Sequence, residues 1–193
     1  MNTLNPTRKP VDIATLQSPA VSFALPDAAS AGEDALEKAL VFATAKLSLP
    51  STQSVVDRLR LGDSIAVQYV SYGLAIQIGQ TLGTLDETVQ TVYLFEDFAT
   101  PEDLAFAQPT RLTVNLIAHV ERKTKAFESL AQALARSLAV RYGELIASDN
   151  PIHLLSIHAV DSVEIGKRSG YGALVTSLHH QPMKVWQRQP LSA

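Results

Sequence analysis

The segment Arg111–Val120, RLTVNLIAHV, alternates with a period of two. Leu112, Val114, Leu116, Ala118 and Val120 form one face; Arg111, Thr113, Asn115, Ile117 and His119 form the other. That is the pattern of a half-buried β-strand with an apolar floor and a mostly polar roof. Leu112, Val114, Leu116 and Ala118 are therefore expected in the core. The roof is where a polar site on a rigid element would be sought, yet it carries no carboxylate.

Strand signals recur on either side. Val89–Phe95 (VQTVYLF) is rich in β-formers and follows the Asp86-Glu87 turn. His153–Val160 (HLLSIHAV) reads as another strand, and Met183–Arg188 (MKVWQR) as a last, edge strand. Between them, Thr124–Ile146 places Phe127, Leu130, Leu134, Leu138, Tyr142 and Leu145 on one helical face, and Asn150-Pro151 stops it. The unit 111–160 is thus strand–helix–strand, and parallel pairing of its two strands would give a right-handed crossover.

Upstream, helices dominate. Gly32–Leu47 carries Leu36, Leu40, Ala43 and Leu47 on one stripe, with Glu33 and Asp34 in its first turn. Pro50 ends it, Ser51 caps a short helix with Val55, Val56 and Leu59, and Gly62 allows a break. Asp63–Leu82 follows helical spacing with two apolar stripes, so it is expected to be largely buried, capped by Asp63 and ended by Gly83. Residues 162 to about 180 are helical with an interruption near Ser169-Gly170. Residues 1–30, punctuated by Pro6, Pro10, Pro19 and Pro26, read as a flexible or docking N-terminal arm, with Val21, Phe23 and Leu25 alternating. The fold class is α/β or α+β: an arm over 1–30, then one globular domain over 31–193. Its mixed central sheet of three to five strands is covered by helices and preceded by an N-terminal helical region.

Composition narrows the chemistry. The 193 residues are 46% apolar and only 18% charged, with a net charge of −3. A domain of this size buries roughly 70% of the surface its unfolded chain exposes and needs no crosslink. No basic cluster suits a nucleic-acid backbone. The absence of cysteine removes disulfides, thiolate metal sites and cysteine nucleophiles, and fits a cytoplasmic protein. No signal-peptide core appears, and Gln68, Ser71, Gln77 and Gln80 interrupt the one long apolar stretch, so no membrane partner is expected.

Motifs are sparse. The helix–strand–strand–helix–strand order over 63–160 resembles the nucleotidyltransferase-like fold. In that family the first strand ends in a Gly-Ser turn and the second carries paired aspartates that hold magnesium on nucleotide phosphates. Here VYLFEDFATP takes the place of the first and LTVNLIAHV that of the second, so Glu96-Asp97 stands for Gly-Ser, and Thr113 and Asn115 stand for the aspartates. The resemblance therefore implies a scaffold that has lost nucleotide transfer, because neutral Thr and Asn cannot hold the metal. Glu96, Asp97, Glu102 and Asp103 suit a solvated connection, with Thr100-Pro101 opening a helical turn; a magnesium or calcium cluster is the competing reading.

The five histidines show no metal-binding spacing; His153 and His158, on a strand, would face opposite sides. GKRSGYG, 166–172, offers glycines and two cations ahead of a helix start, an arrangement able to take an anion. No catalytic residue, metal or cofactor is indicated. The leading expectation is a non-catalytic interaction or scaffold protein that binds a protein partner or forms a homo-oligomer, with the apolar segment around Val185 and Trp186 at an interface or in the core. The alternative is a nucleotide or phosphate-ligand binder using Asn115, His119, Lys167 and Arg168.

Overall fold

The computed structural model describes residues 25–95, 112–148, 153–179 and 181–189, with side chains from Ala28 onward. Three helices open the described chain: α1 (Leu25–Lys46), α2 (Thr52–Arg60) and α3 (Ser64–Leu85). Strand β1 (Val89–Phe95), β2 (Val114–Val120), helix α4 (Lys125–Ile146) and β3 (Leu155–Val160) follow. Two short helices, α5 (Ser162–Lys167) and α6 (Tyr171–Val175), lead to β4 (Met183–Gln187).

The strands form one mixed sheet in the order β3-β2-β1-β4. β1 is antiparallel to both β2 and β4, whereas β2 and β3 are parallel neighbours joined through α4. The α/β class, the mixed sheet and the N-terminal helical region are as the sequence pattern implies. No helix among the described residues is long and apolar enough to cross a membrane.

Local chemistry sets most boundaries. Ser51, Asp63 and Thr124 each accept backbone N–H groups at the starts of α2, α3 and α4. Gly62 turns between α2 and α3 at φ 74°. Several boundaries differ from expectation: β2 begins at Val114 and β3 at Leu155, and the last helix ends at Val175 and does not reach 180. α1 begins at Leu25, not Gly32, because its first turns rest on α4: Ala28 is buried, and the Ser137 hydroxyl donates to the Ala29 carbonyl at 2.7 Å. α3 runs through Gly83 to Leu85, where Asp86 takes the cap position. α4 ends on Ala147 in the left-handed region, before Asn150-Pro151, which lies outside the described residues.

The core lies between the sheet and the long helices. α3 packs on β1 and β4, α4 on β3, and α1 lies across α3 and α4. Leu112, Val114, Leu116, Ala118 and Val120 are all buried on this side, with Val70, Leu74, Ile78, Phe127, Leu134 and Leu138. Trp186 belongs to this packing. Its ring lies against Gly83, its Cβ lies against Gly79, and Arg188 stacks over it while donating to the Gly83, Asp86 and Val89 carbonyls.

Candidate functional site

The roof of β2 is less polar than its sequence suggests. Ile117 is fully buried, packed with Val160 and Val175, with Tyr93, Phe95, Ile165 and Leu174 around them. The α5–α6 hairpin supplies this cover. Asp161 caps α5 in a capping box with Glu164, and Lys123 ties Glu164 to the β2–α4 turn at 2.7 Å.

The four residues singled out from sequence fall into two groups. Asn115 and His119 lie on this second face, paired across from Phe95 and Thr91. The His119 Nε2 is 3.2 Å from the Ser162 hydroxyl. Burial pushes its pKa below the usual 6.5, and the Asp161 carboxylate offsets part of that. Lys167 closes α5, and Arg168 caps it in the left-handed region at φ 51°; both are exposed and form no ion pair among the described residues. Two amides of the glycine-rich turn are engaged internally: Gly172 N–H donates to Ser169, and Ala173 N–H to Gly170. No hydrogen bond among the described residues joins Lys167 or Arg168 to Asn115 or His119. The acidic cluster 96–103 lies outside the described residues. Among the described residues, no three His, Asp or Glu side chains converge as a metal site.

A feature that sequence reading missed lies at the outer edge of β3. A groove of about 490 Å³ runs along this edge. α4 walls it on one side with Phe127, Ala131 and Ala135, and Tyr171 of α6 stands on the other. His153 and His158 both line it: the groove straddles the sheet edge, His158 stands on the Tyr171 side, and His153 precedes β3, which begins at Leu155. His153 bonds the Ser156 hydroxyl at 2.7 Å; His158 stacks on Tyr171 with centroids 4.0 Å apart, beside Phe95.

The floor of this groove is backbone. Val114 N–H donates to the Leu154 carbonyl at 2.8 Å, and the parallel register pairs Val114 with Leu155. In such a ladder alternate residues of β3 bond to β2. Ser156 and His158 therefore turn their N–H and C=O inward, whereas Leu155, Ile157 and Ala159 turn theirs outward into the groove. Among the described residues none of these outward groups has a hydrogen-bond partner.

The opposite edge differs. β4 carries Lys184 and is offset by a register shift between Val92 and Tyr93, two devices that discourage strand addition. β3 has no Pro, no Lys and no register shift. What the groove can do chemically is take up an extended chain by main-chain hydrogen bonding. No family model, curated protein or solved structure matches this chain, so its function is argued from this geometry.

Proposed function

We propose that this chain is a non-catalytic interaction protein whose β3 edge takes up an extended segment of a protein partner, a further copy of the chain included. The observation that carries the reading is the row at Leu155, Ile157 and Ala159, unpaired among the described residues, on the floor of a groove between α4 and α6. An edge left open in this way is a template for strand addition, in which main-chain bonds give affinity and side-chain pockets give selectivity. Phe127, Ala131, Leu155 and Ile157 supply an apolar wall for alternate side chains.

Hydrogen exchange at the Leu155, Ile157 and Ala159 amides tests it, on the full chain alone at rising concentration and in extract of the source cells. Slowed exchange in either setting is expected, with loss of the slowing in Ala159→Lys. Open-edge rates in both settings would overturn the reading. A nucleotide panel in a thermal-shift assay is expected to leave the melting temperature unmoved. A shift that Lys167→Ala and Arg168→Ala abolish would replace this reading with phosphate-ligand binding on a nucleotidyltransferase-like scaffold.

A further inference from the structure

Resting on that reading, we propose that the chain's own segment Val11–Leu16 holds the β3 edge, antiparallel to β3, and that a partner gains the edge by displacing it. The described chain begins at Leu25, the first residue of α1, with residues 1–24 outside it. The start of α1 is fixed on α4, where the Ser137 hydroxyl donates to the Ala29 carbonyl. Ser137 follows the groove residues Ala131 and Ala135 on the same helix. α4 runs opposite to β3: it joins two parallel strands, and Lys123 ties its leading turn to Glu164, just past the end of β3. The Ser137 end of the wall therefore matches Leu155, and the Glu128 end matches Ala159. From Glu128 to Ser137 the helix rises about 14 Å, and β3 spans about 13 Å from Leu155 to Ala159. Beyond Leu16, residues 17–24 can span about 26 Å, more than the roughly 10–12 Å diameter of the helix they must cross to reach Leu25. Val21, Phe23 and Leu25 alternate too, but that run ends in α1 and has no length left for the crossing.

Residue types fix the segment, its register and its direction. An added strand must donate N–H groups, which proline lacks, and 11–18 is the longest proline-free stretch ahead of α1. Ile13 opposite Ile157 sets Val11 against Ala159 and Thr15 against Leu155, pairs that exchange roughly six hydrogen bonds. The β-branched Val11, Ile13 and Thr15 then turn with Leu155 and Ile157 toward Phe127, Ala131 and Ala135. Pro10 falls opposite Val160 with its nitrogen turned away from β3, where no N–H is required. A slip of one residue would turn Asp12 onto the apolar wall and the Pro10 nitrogen toward the ladder. The wall's charges set the direction. Lys123 is already paired with Glu164 and Gln132 is neutral, so Glu128 is the groove carboxylate with no ion pair among the described residues. In the antiparallel direction Lys9, two positions beyond Val11 on the same face, ends at Glu128. The parallel direction would carry Lys9 to the opposite end of the wall and leave Leu16 at the end far from α1.

The chain lacks cysteine, so an introduced pair of thiols reports on one contact alone. In this register the Ile13 and Ile157 Cα atoms are about 5.5 Å apart, within the range a disulfide spans. Val11 and Leu155 are offset by four positions, on the order of 13 Å, beyond that range. The full chain with Ile13→Cys and Ile157→Cys is expected to close an intramolecular disulfide under mild oxidation and keep a monomer's mass. The pair Val11→Cys and Leu155→Cys is expected to stay reduced. In the unaltered chain the Leu155, Ile157 and Ala159 amides are expected to exchange slowly at every concentration, and Ile13→Pro to lose that protection. In extract of the source cells the Ile13→Pro edge is expected to slow again, as a partner takes the vacated position.

Equal crosslinking of both pairs, or none in a folded chain whose edge is protected, would overturn the register. A disulfide-linked dimer from the first pair, or protection that appears only as concentration rises, would replace the chain's own segment with a second copy. Protection that survives Ile13→Pro, or edge amides slowed only in extract, would overturn the segment as occupant while leaving strand uptake standing. Open rates for Ile13→Pro in extract would do the reverse, removing uptake of a partner and leaving the segment on the edge. Circular dichroism on each variant separates loss of the contact from loss of fold.

Discussion

Gly83 shows how a single position can be read correctly for residue type and wrongly for cause. A glycine at the end of an apolar helical run suggests a helix stop. In the structure the helix continues, and the glycine is there for the space its missing side chain leaves. A Cβ at Gly83 would come within 2.1 Å of the Trp186 ring. Gly83→Ala is therefore expected to cost roughly 1–3 kcal/mol, the range for overpacking a filled site. Gly166, with no neighbour within 4 Å, is the control: alanine there is expected to be neutral or to gain about 0.5–1 kcal/mol through helix preference. Urea unfolding of the two variants beside the parent measures the difference, and equal midpoints would contradict the packing account.

His119 gives a second expectation at this scale. Burial lowers its pKa below 6.5 in the folded chain, so between the folded and unfolded values the unfolded chain holds more protons. Stability then rises with pH through that window. It is retained above the unfolded value near 6.5 and lost as pH falls through the folded value. His119→Gln is expected to flatten this part of the curve, with melting temperatures recorded from pH 5 to 8. Parallel curves for parent and variant would show that another group carries the dependence.

Among elements, those whose ends are set by a neighbouring side chain were the most legible. Ser51 and Asp63, readable as caps from the sequence, cap α2 and α3 in the structure, and Thr124, expected as the first residue of the next long helix, caps it. Thr124→Ala is expected to destabilise the protein by about 1 kcal/mol, as read by chemical denaturation. An unchanged midpoint would mean that packing of Phe127 and Leu134 alone fixes the start of α4. The floor of β2 was equally legible, because a period of two needs only one buried side to be written into the residues. Its roof was not. Ile117 looks like a lone apolar residue among polar ones until the α5–α6 hairpin folds over it. His153 likewise seemed to belong to a strand, but the regular pairing starts two residues later.

On the scale of the whole molecule, burial and pairing separate what the residues state from what the fold adds. Hydrophobic periodicity and capping chemistry depend on neighbours within a few residues. They therefore determined the α/β class, the long helices, the four strands and the apolar floor of the sheet. Strand order does not depend on such neighbours: each strand carries the same unpaired backbone whether it ends in the centre or at a border. Only the tertiary structure decided that β3 would be an outer strand, that α4 and α6 would flank it, and that Leu155, Ile157 and Ala159 would present their backbone to a groove. It also decided that Trp186 would fill the space over Gly79 and Gly83. The physical reason is common to both: a backbone group or a ring finds its partner through space, and that partner leaves no mark in the sequence beside it.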